Sequence, residues 1–193
     1  NQCLNKGTQI ATYLKAAKIL KKHKIDYDAY IQLGKPFLTT GEDVADAVKT
    51  ALWAFKHGFG RAFLMLCNIQ PSTLTHFLWE RGKFNPPMLW SAIEVIKRLP
   101  PKHRSKAYIK GFNRAVPMPL EFPQNCEKCN IEIMDKLIHW NLTGDYGHIK
   151  RMPKCECLNK FHKKLKKRTK IELDERVKNT LEYVQDELNS QQD

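Results

Sequence analysis

Apolar and polar residues near the start of the chain follow first a helical and then an extended spacing. Apolar residues three or four positions apart predict an amphipathic helix over about residues 8–23. Looser alternation predicts a strand over residues 26–33, and Pro36 ends it because proline cannot donate to a strand ladder. Thr39, followed three residues later by Glu42, has the capping-box pattern and predicts a helix that continues to about residue 57.

The next elements continue this alternation. The nearly continuous apolar run 62–67 predicts a strand buried on both faces of a parallel sheet. Helices over 72–80 and 87–98 and a strand over 105–112 follow. Strands that alternate with helices are typical of right-handed β-α-β units. Because two or three strands do not close a barrel, we expect residues 1–116 to form the C-terminal half of a larger α/β domain, with two unpaired sheet edges.

The composition changes near Pro117, where prolines recur, and we place a domain boundary there. Residues 117–160 are expected to form a small Cys-rich metal-binding subdomain. Residues 161–193 are expected to form a basic segment and a C-terminal amphipathic helix over about 171–188. The apolar stripe of this helix must pack on another surface, and it consists of Val177, Leu181, Val184 and Leu188.

Of the features of the composition, charge restricts the possible functions of the chain most. The chain of 193 residues has a net charge of +13, and residues 150–170 hold ten basic residues and one acidic residue. Such a concentration favours a polyanionic partner, nucleic acid before an anionic membrane, although a solvated charged run is the alternative. Phe161 and Leu165 are four residues apart, so the cations can line a short helix. The expected phosphate-binding residues are Lys163, Lys164, Lys166, Lys167 and Arg168.

The cysteines indicate a metal site. The chain has six cysteines, no secretion signal and no apolar run long enough to span a membrane, which predicts a cytoplasmic location. Cys126-x-x-Cys129 and Cys155-x-Cys157 form two thiolate pairs, which together can bind a structural Zn²⁺ ion. An iron–sulfur cluster, unliganded thiols and a redox pair are the alternatives. Three nearby histidines can replace one cysteine: His139, His148 and His162.

Polar residues follow two of the predicted strands. In parallel α/β folds, ligands bind at the carboxyl ends of the strands. Lys35 is expected there to contact an anionic ligand, and Asn68 and Gln70 to hydrogen-bond a base or an adenosine edge. A surface lysine and a turn cap are the alternatives. Trp79 and Trp90 are expected to pack in the interior and not to stack on a base.

Four stretches together resemble one family. They are Asn5-Lys6-Gly7, Lys35-Pro36-Phe37-Leu38-Thr39, residues 67–91 and the two cysteine pairs. They resemble the C-terminal portion of the radical SAM subunit of archaeosine synthase, which belongs to the Elp3-like radical SAM proteins. The resemblance reaches to about residue 160, and residues 67–91 are its most specific part. It implies a partial (β/α)6 barrel.

The resemblance implies a tRNA-modifying carbon–nitrogen lyase that forms archaeosine from a lysine-bearing 7-deazaguanine at position 15 of tRNA. It also implies S-adenosylmethionine and a [4Fe-4S] cluster in the full-length enzyme, and a lysine-transferring partner subunit. This chain departs from the family pattern, because the Cys-x3-Cys-x2-Cys loop is absent and Gly34-Lys35-Pro36 stands where Lys-Pro-Pro is expected. We therefore expect either that the cluster is held upstream of Asn1 or that catalysis is lost. The alternatives are a non-catalytic RNA-binding module with a zinc knuckle and another Elp3-like or methylthiotransferase-like radical SAM enzyme.

Overall fold

A computed structural model describes residues 7–190 of the chain. Cys3 lies outside the described residues, as do residues 5–6 of the first resembling stretch. The elements in chain order are α1 (Ile10–Lys22), β1 (Ala29–Leu33), α2 (Thr40–Lys56), β2 (Ala62–Leu66), α3 (Leu74–Glu80), α4 (Leu89–Arg98), α5 (Pro101–Arg104), β3 (Ala107–Lys110), α6 (Glu127–Thr143), α7 (Tyr146–Lys150), α8 (Glu156–Lys166) and α9 (Leu173–Asn189).

The three strands form one parallel sheet in the order β1-β2-β3. The prediction of a mixed α/β fold with a parallel sheet is confirmed, whereas its continuation into a partial barrel stays a prediction. Helix α2 connects β1 to β2 and starts at the predicted capping box. The Glu42 carboxylate accepts a hydrogen bond from the Thr39 backbone N–H at 2.7 Å, and Thr39 Oγ1 accepts from the Glu42 N–H at 3.3 Å.

Residues 7–190 bury only one face of the sheet, so within this part of the chain the prediction that β2 is covered on both faces is wrong. Ala62, Leu64 and Leu66 are buried in the core that also contains the inner faces of α2 and α4. Phe63 and Met65 point to the opposite face and are only half-buried. The physical reason is that these helices lie on one side of the sheet.

The outer edge of β3 is covered by a helix. The side-chain amide of Asn141 on α6 accepts a hydrogen bond from the Ile109 N–H at 2.8 Å and donates one to the Ile109 carbonyl at 2.7 Å. The Trp140 indole N–H donates to the Ala107 carbonyl at 2.8 Å. These side chains replace a neighbouring strand, so this edge differs from the two unpaired edges we expected. No strand within residues 7–190 pairs with the outer edge of β1.

The C-terminal helices extend the same core. Cys129, Ile133 and Leu137 of α6 and Phe161 of α8 are buried in one cluster with α2 and α4. The domain boundary at residue 117 stays a prediction, and the apolar core is continuous across it.

Helix α9 is attached more loosely than the other long C-terminal helices, since none of its residues is buried. Leu181 and Leu188 of its predicted apolar stripe are 51% and 43% exposed. The other two residues of the stripe are half-buried, and the contacting face also includes Arg176, Tyr183 and Glu187, so polar contacts help to hold this helix.

Candidate metal centre and ligand cleft

The four clustered cysteines meet where the N-termini of α6 and α8 face each other. Cys126 and Cys155 are the N-cap residues of these helices, and Cys129 and Cys157 lie in their first turns. The Sγ atoms of Cys126 and Cys155 are 3.3 Å apart, as are those of Cys129 and Cys157. The four sulfurs all lie within 4.8 Å of one another and could hold a metal ion. The positive end of each helix dipole stabilises thiolates at this position.

The spacing of the sulfurs fits a single ion. With metal–sulfur distances of about 2.3 Å, the edges of a tetrahedral Zn²⁺ site are roughly 3.8 Å long. In an iron–sulfur cluster, by contrast, the four thiolates are divided among two or more iron atoms and are spread further apart. The observed contacts of 3.3–3.6 Å therefore match a mononuclear site more closely than a cluster.

Burial divides the four thiols into an outer and an inner pair. The contact with Cys155 lowers the pKa of Cys126 to about 7, whereas burial raises the pKa of Cys129. The Trp90 indole N–H donates to Cys157 Sγ at 3.2 Å, and Trp90 is fully buried, as we expected. A bound metal ion would keep all four sulfurs deprotonated, and the indole would then orient one thiolate and stabilise its charge.

None of the three candidate histidines joins this group. His139 and His148 lie together at a different site, with Asp145. His162 is exposed on α8. The spacing of the cysteines therefore indicated which side chains come together here better than proximity of histidines along the chain did.

Lys35 lies at the carboxyl end of β1, where we expected an anion contact. Its ammonium group is buried and contacts Asp43 Oδ1 at 2.7 Å, Asp46 Oδ2 at 3.2 Å and the Gln32 carbonyl at 2.6 Å. Asp43 also accepts a hydrogen bond from the Gly34 N–H at 2.6 Å, and it thereby shapes the turn after β1. An ammonium group has three donors, so an anion would have to displace one of these partners. The cofactor-binding role of Lys35 stays a prediction.

Asn68 and Gln70 lie beyond the carboxyl end of β2. The segment is held by an antiparallel bridge from Ile69 to Glu121. The Gln70 Nε2 group donates to Asn68 Oδ1 at 3.1 Å and to the Pro117 carbonyl at 3.3 Å. Within the described part of the chain, Gln70 Oε1 is buried and has no hydrogen-bond partner. A buried acceptor of this kind suits a ligand that carries an N–H group.

A cleft of about 450 Å³ opens beside the carboxyl end of β1. The loop after β1, the loop before α4, and residues of α8 and α9 line it. Lys83, Lys164 and Lys167 contribute positive charge to its walls, and Phe37 and Phe161 contribute apolar surface. Of the predicted phosphate-binding residues, the structure therefore brings two into this cleft. All five of those residues are exposed, on α8 or immediately after it.

The sequence did not reveal how α9 borders this cleft. Arg176 donates two hydrogen bonds to the Glu42 carboxylate, each 2.9 Å long, and a third to the Phe37 carbonyl. At the other end of α9, Arg81 Nε donates to Glu187 at 3.0 Å. Partners more than a hundred residues apart leave no local pattern that could have predicted these pairs.

An aromatic row on the open face of the sheet was also missed. Tyr30, Phe63 and Tyr108 are register neighbours, with ring centroids 5.0 Å and 5.5 Å apart. Lys110 Nζ lies 5.8 Å from the centre of the Phe63 ring. Period-two alternation within each strand was the available signal, and the apolar character of β2 concealed it.

The described residues contain no helix that is both long and apolar enough to cross a membrane. No protein-family model matches the chain.

Three relatives align with most of the chain. Archaeosine synthase subunit beta of Methanosarcina acetivorans is 28% identical over 167 residues, which cover 84% of this chain and 46% of that protein. Archaeosine synthase subunit beta of Thermococcus kodakarensis is 31% identical over 166 residues, which cover 82% and 48%. An uncharacterized protein of Methanocaldococcus jannaschii is 27% identical over 160 residues, which cover 82% and 43%. The chain thus spans about half the length of the curated relatives it matches.

One solved structure is also similar, that of Methanocaldococcus infernus Elp3 with an N-terminal deletion. Its TM-score is 0.48 at 17% identity, over 79% of this chain and 38% of that chain. The resemblance found in the sequence is confirmed by the alignments with the two synthase subunits. Over most of its length, the chain is homologous to archaeosine synthase subunit beta.

Proposed function

We propose that this chain is the C-terminal part of a tRNA-modifying radical SAM enzyme of the archaeosine synthase type. The single observation that carries the proposal is the alignment of more than four-fifths of the chain with two archaeosine synthase beta subunits. The proposed reaction is carbon–nitrogen bond cleavage in a lysine-bearing 7-deazaguanine of tRNA, which forms archaeosine. The proposed partner is the subunit that transfers lysine to the base, and the proposed location is the cytoplasm.

The two edges of the sheet support a larger barrel. Side chains of α6 satisfy the outer edge of β3, as the last strand of an open barrel requires. At the β1 edge, Tyr30 is 67% exposed, and apolar side chains of the preceding segment are also exposed, among them Ile10, Ile19 and Ile25. We infer that a further strand pairs with β1 and that its helix covers α1. The open aromatic face of the sheet would then line the inside of the barrel.

The proposed chemistry uses S-adenosylmethionine and a [4Fe-4S] cluster, which together supply the radical. The four clustered cysteines do not fit that cluster, because their sulfurs converge on a single position. We therefore assign cluster binding to residues outside this chain and a structural Zn²⁺ ion to the four cysteines. For the adenosine or the base, Gln70 offers its unpartnered acceptor, and Asn68 positions the Gln70 amide.

The basic helix supports tRNA as the partner. Cys155 and Cys157 lie at the start of α8, so a metal ion bound there would fix the direction of the helix. Phe161 anchors α8 in the core and leaves its lysines exposed. Lys164 and Lys167 line the cleft at the carboxyl end of β1, where the modified base would have to enter. Phosphates bound along α8 would hold the tRNA beside this cleft.

A hybrid enzyme tests the catalytic proposal. The aligned half of the Methanosarcina acetivorans subunit is replaced by this chain, and the hybrid is assayed with its partner subunit for archaeosine in tRNA by mass spectrometry. We expect product from the hybrid. A matched hybrid carrying Gln70→Leu should bind tRNA but form less product. A folded, tRNA-binding hybrid that forms no archaeosine would contradict the proposal.

A non-catalytic RNA-binding module is the second candidate, and the exposed cations of α8 favour it. The test assumes that four lysines of this segment each contact a phosphate, namely Lys163, Lys164, Lys166 and Lys167. Their replacement by glutamine should then make the negative slope of log K against log salt shallower by about 3. The matched control replaces four exposed lysines of α1, namely Lys15, Lys18, Lys21 and Lys22, and should leave that slope nearly unchanged. RNA binding that follows this pattern together with an inactive hybrid would select the second candidate.

A further inference from the structure

A second group of metal-binding side chains lies at the turn between α6 and α7, separate from the four cysteines. The ligand atoms of His139, Asp145 and His148 lie within 4.8 Å of one another. The two imidazole rings have centroids 3.7 Å apart, and Asp145 Oδ2 lies 3.7 Å from His148 Nε2. The fold thus brings together two histidines nine positions apart and a carboxylate between them.

Buried neighbours hold both histidines in place. His139 directly precedes Trp140, which is 1% exposed and hydrogen-bonded to the backbone of β3. His148 directly precedes Ile149, which is fully buried. Each imidazole therefore projects from a backbone position that the core fixes, so no backbone freedom has to be lost when an ion binds.

The turn between the helices is equally well defined. Gly144 ends α6 in a left-handed conformation with φ of 66°, and a Cβ atom there would lie 3.3 Å from the Ser105 side chain. Asp145 is the N-cap of α7, and its Oδ1 accepts a hydrogen bond from the Gly147 N–H at 2.8 Å. This bond orients the carboxylate and leaves Oδ2 turned toward His148, which is how a supporting hydrogen bond prepares a metal ligand.

We propose that His139, Asp145 and His148 bind a divalent first-row transition metal ion, with Zn²⁺ as the physiological candidate. Imidazole and carboxylate are ligands that such ions accept, and they differ in softness from the four thiolates. With ligand distances of about 2.0–2.1 Å, the donor atoms of a tetrahedral site are roughly 3.3 Å apart. The observed 3.7 Å between Asp145 and His148 is close to this value.

The exposure of the group defines what kind of site it is. His148 and Asp145 side chains are 46% and 54% exposed, so an ion there exchanges with solvent more readily than one held by the buried cysteines. Three protein ligands leave one tetrahedral position open. That position can take a water molecule or a donor atom from another molecule.

A titration of the full chain tests the proposal. The protein is first loaded with Zn²⁺, and weakly held metal is removed on a chelating resin. Isothermal calorimetry with added Zn²⁺ should then show one further equivalent. His139→Gln and His148→Gln should each weaken this step by about 10–100-fold or more. Asp145→Asn retains an N-cap residue and should weaken it as well.

The matched control is His162→Gln, which alters an exposed histidine outside the group and should leave the added equivalent unchanged. Circular dichroism checks that each variant is folded. The absence of a further equivalent, or one that survives both His139→Gln and His148→Gln, would overturn the proposal. The result is independent of the cysteines, because the two histidine variants report on this site whether or not the cysteines carry zinc.

Discussion

The ion pair between Glu42 and Arg176 fastens the C-terminal helix to the rest of the protein. Hydrogen bonds from Arg176 hold the pKa of Glu42 at about 2, below its usual value of 4.5. Glu42→Gln is the informative perturbation, because glutamine at this position preserves the capping box of α2. The substitution therefore removes the charge of the pair without removing the helix cap.

The structure bounds the size of the effect. A shift from 4.5 to about 2, to which hydrogen bonds with Thr39 also contribute, sets an upper bound of roughly 3.4 kcal/mol at about 1.36 kcal/mol per pKa unit. The Glu42 side chain is 36% exposed, so water and salt screen the pair, and we expect about 1–1.5 kcal/mol. Because no residue of α9 is buried, this loss should release α9 locally and leave the core folded.

The dependence on pH has a definite sign. The pKa of Glu42 is lower in the folded than in the unfolded state, so the pair contributes fully above about pH 4.5 and is lost as the pH falls toward 2. Hydrogen exchange followed by mass spectrometry measures protection in residues 173–189. At pH 7, Glu42→Gln should lower the protection factors there by about tenfold, which is the equivalent of roughly 1.4 kcal/mol.

The control is Glu182→Gln, which removes a charge from the exposed side of α9 and should change protection by less than about threefold. Near pH 2, the wild-type protein and Glu42→Gln should show nearly the same protection in α9. Equal protection at pH 7, or a difference that persists unchanged near pH 2, would refute this account of how the helix is held.

Three further predictions concern the metal centre and the sheet edge. After weakly held metal is removed on a chelating resin, Cys157→Ser should retain no stoichiometric zinc by metal analysis, and its midpoint of thermal unfolding should fall by about 10 °C or more. Cys67→Ser, outside the cluster, should retain the zinc. Trp90→Phe keeps a buried ring but loses the N–H donor to sulfur, so a chelator competition assay should show zinc affinity about 10–100-fold lower; unchanged affinity would mean that this bond does not support the ligand. Asn141→Ala leaves two backbone groups of β3 unpaired and should lower the free energy of unfolding, measured in urea, by about 2–3 kcal/mol. As the control, Leu142→Ala at the exposed neighbouring position should lower it by less than about 0.5 kcal/mol.

Much of the fold was predictable because its signals are local. Helix α2 begins at a capping box formed by Thr39 and Glu42, which are three residues apart and need no other part of the chain. The end of β1 and the extent of β2 were likewise predicted from a proline and from an apolar run, whereas β1 begins at Ala29 and not near residue 26. Phe161 and Leu165, four residues apart, indicated a short helix, and both lie on α8.

Features that depend on distant partners were missed. The apolar run of β2 is the same whether one or both faces are covered, and only the position of α2 and α4 decides between the two. Of the stripe predicted for α9, Val177 and Val184 are half-buried, whereas Leu181 and Leu188 are exposed. The position of this helix is set by Arg176, whose carboxylate partner lies 134 residues earlier in the chain.

The same distinction between local signals and distant partners applies to the candidate sites. By itself, the sequence determined which side chains are available for chemistry: four thiols in two close pairs, a basic run, and polar residues after two strands. Only the tertiary structure decided which of them meet. It joins two helix N-termini so that the sulfurs converge, separates His139 and His148 from them, and surrounds the Lys35 ammonium with carboxylates. Short-range spacing limits what a segment can form, whereas packing of segments far apart in the chain determines which ligands share a site.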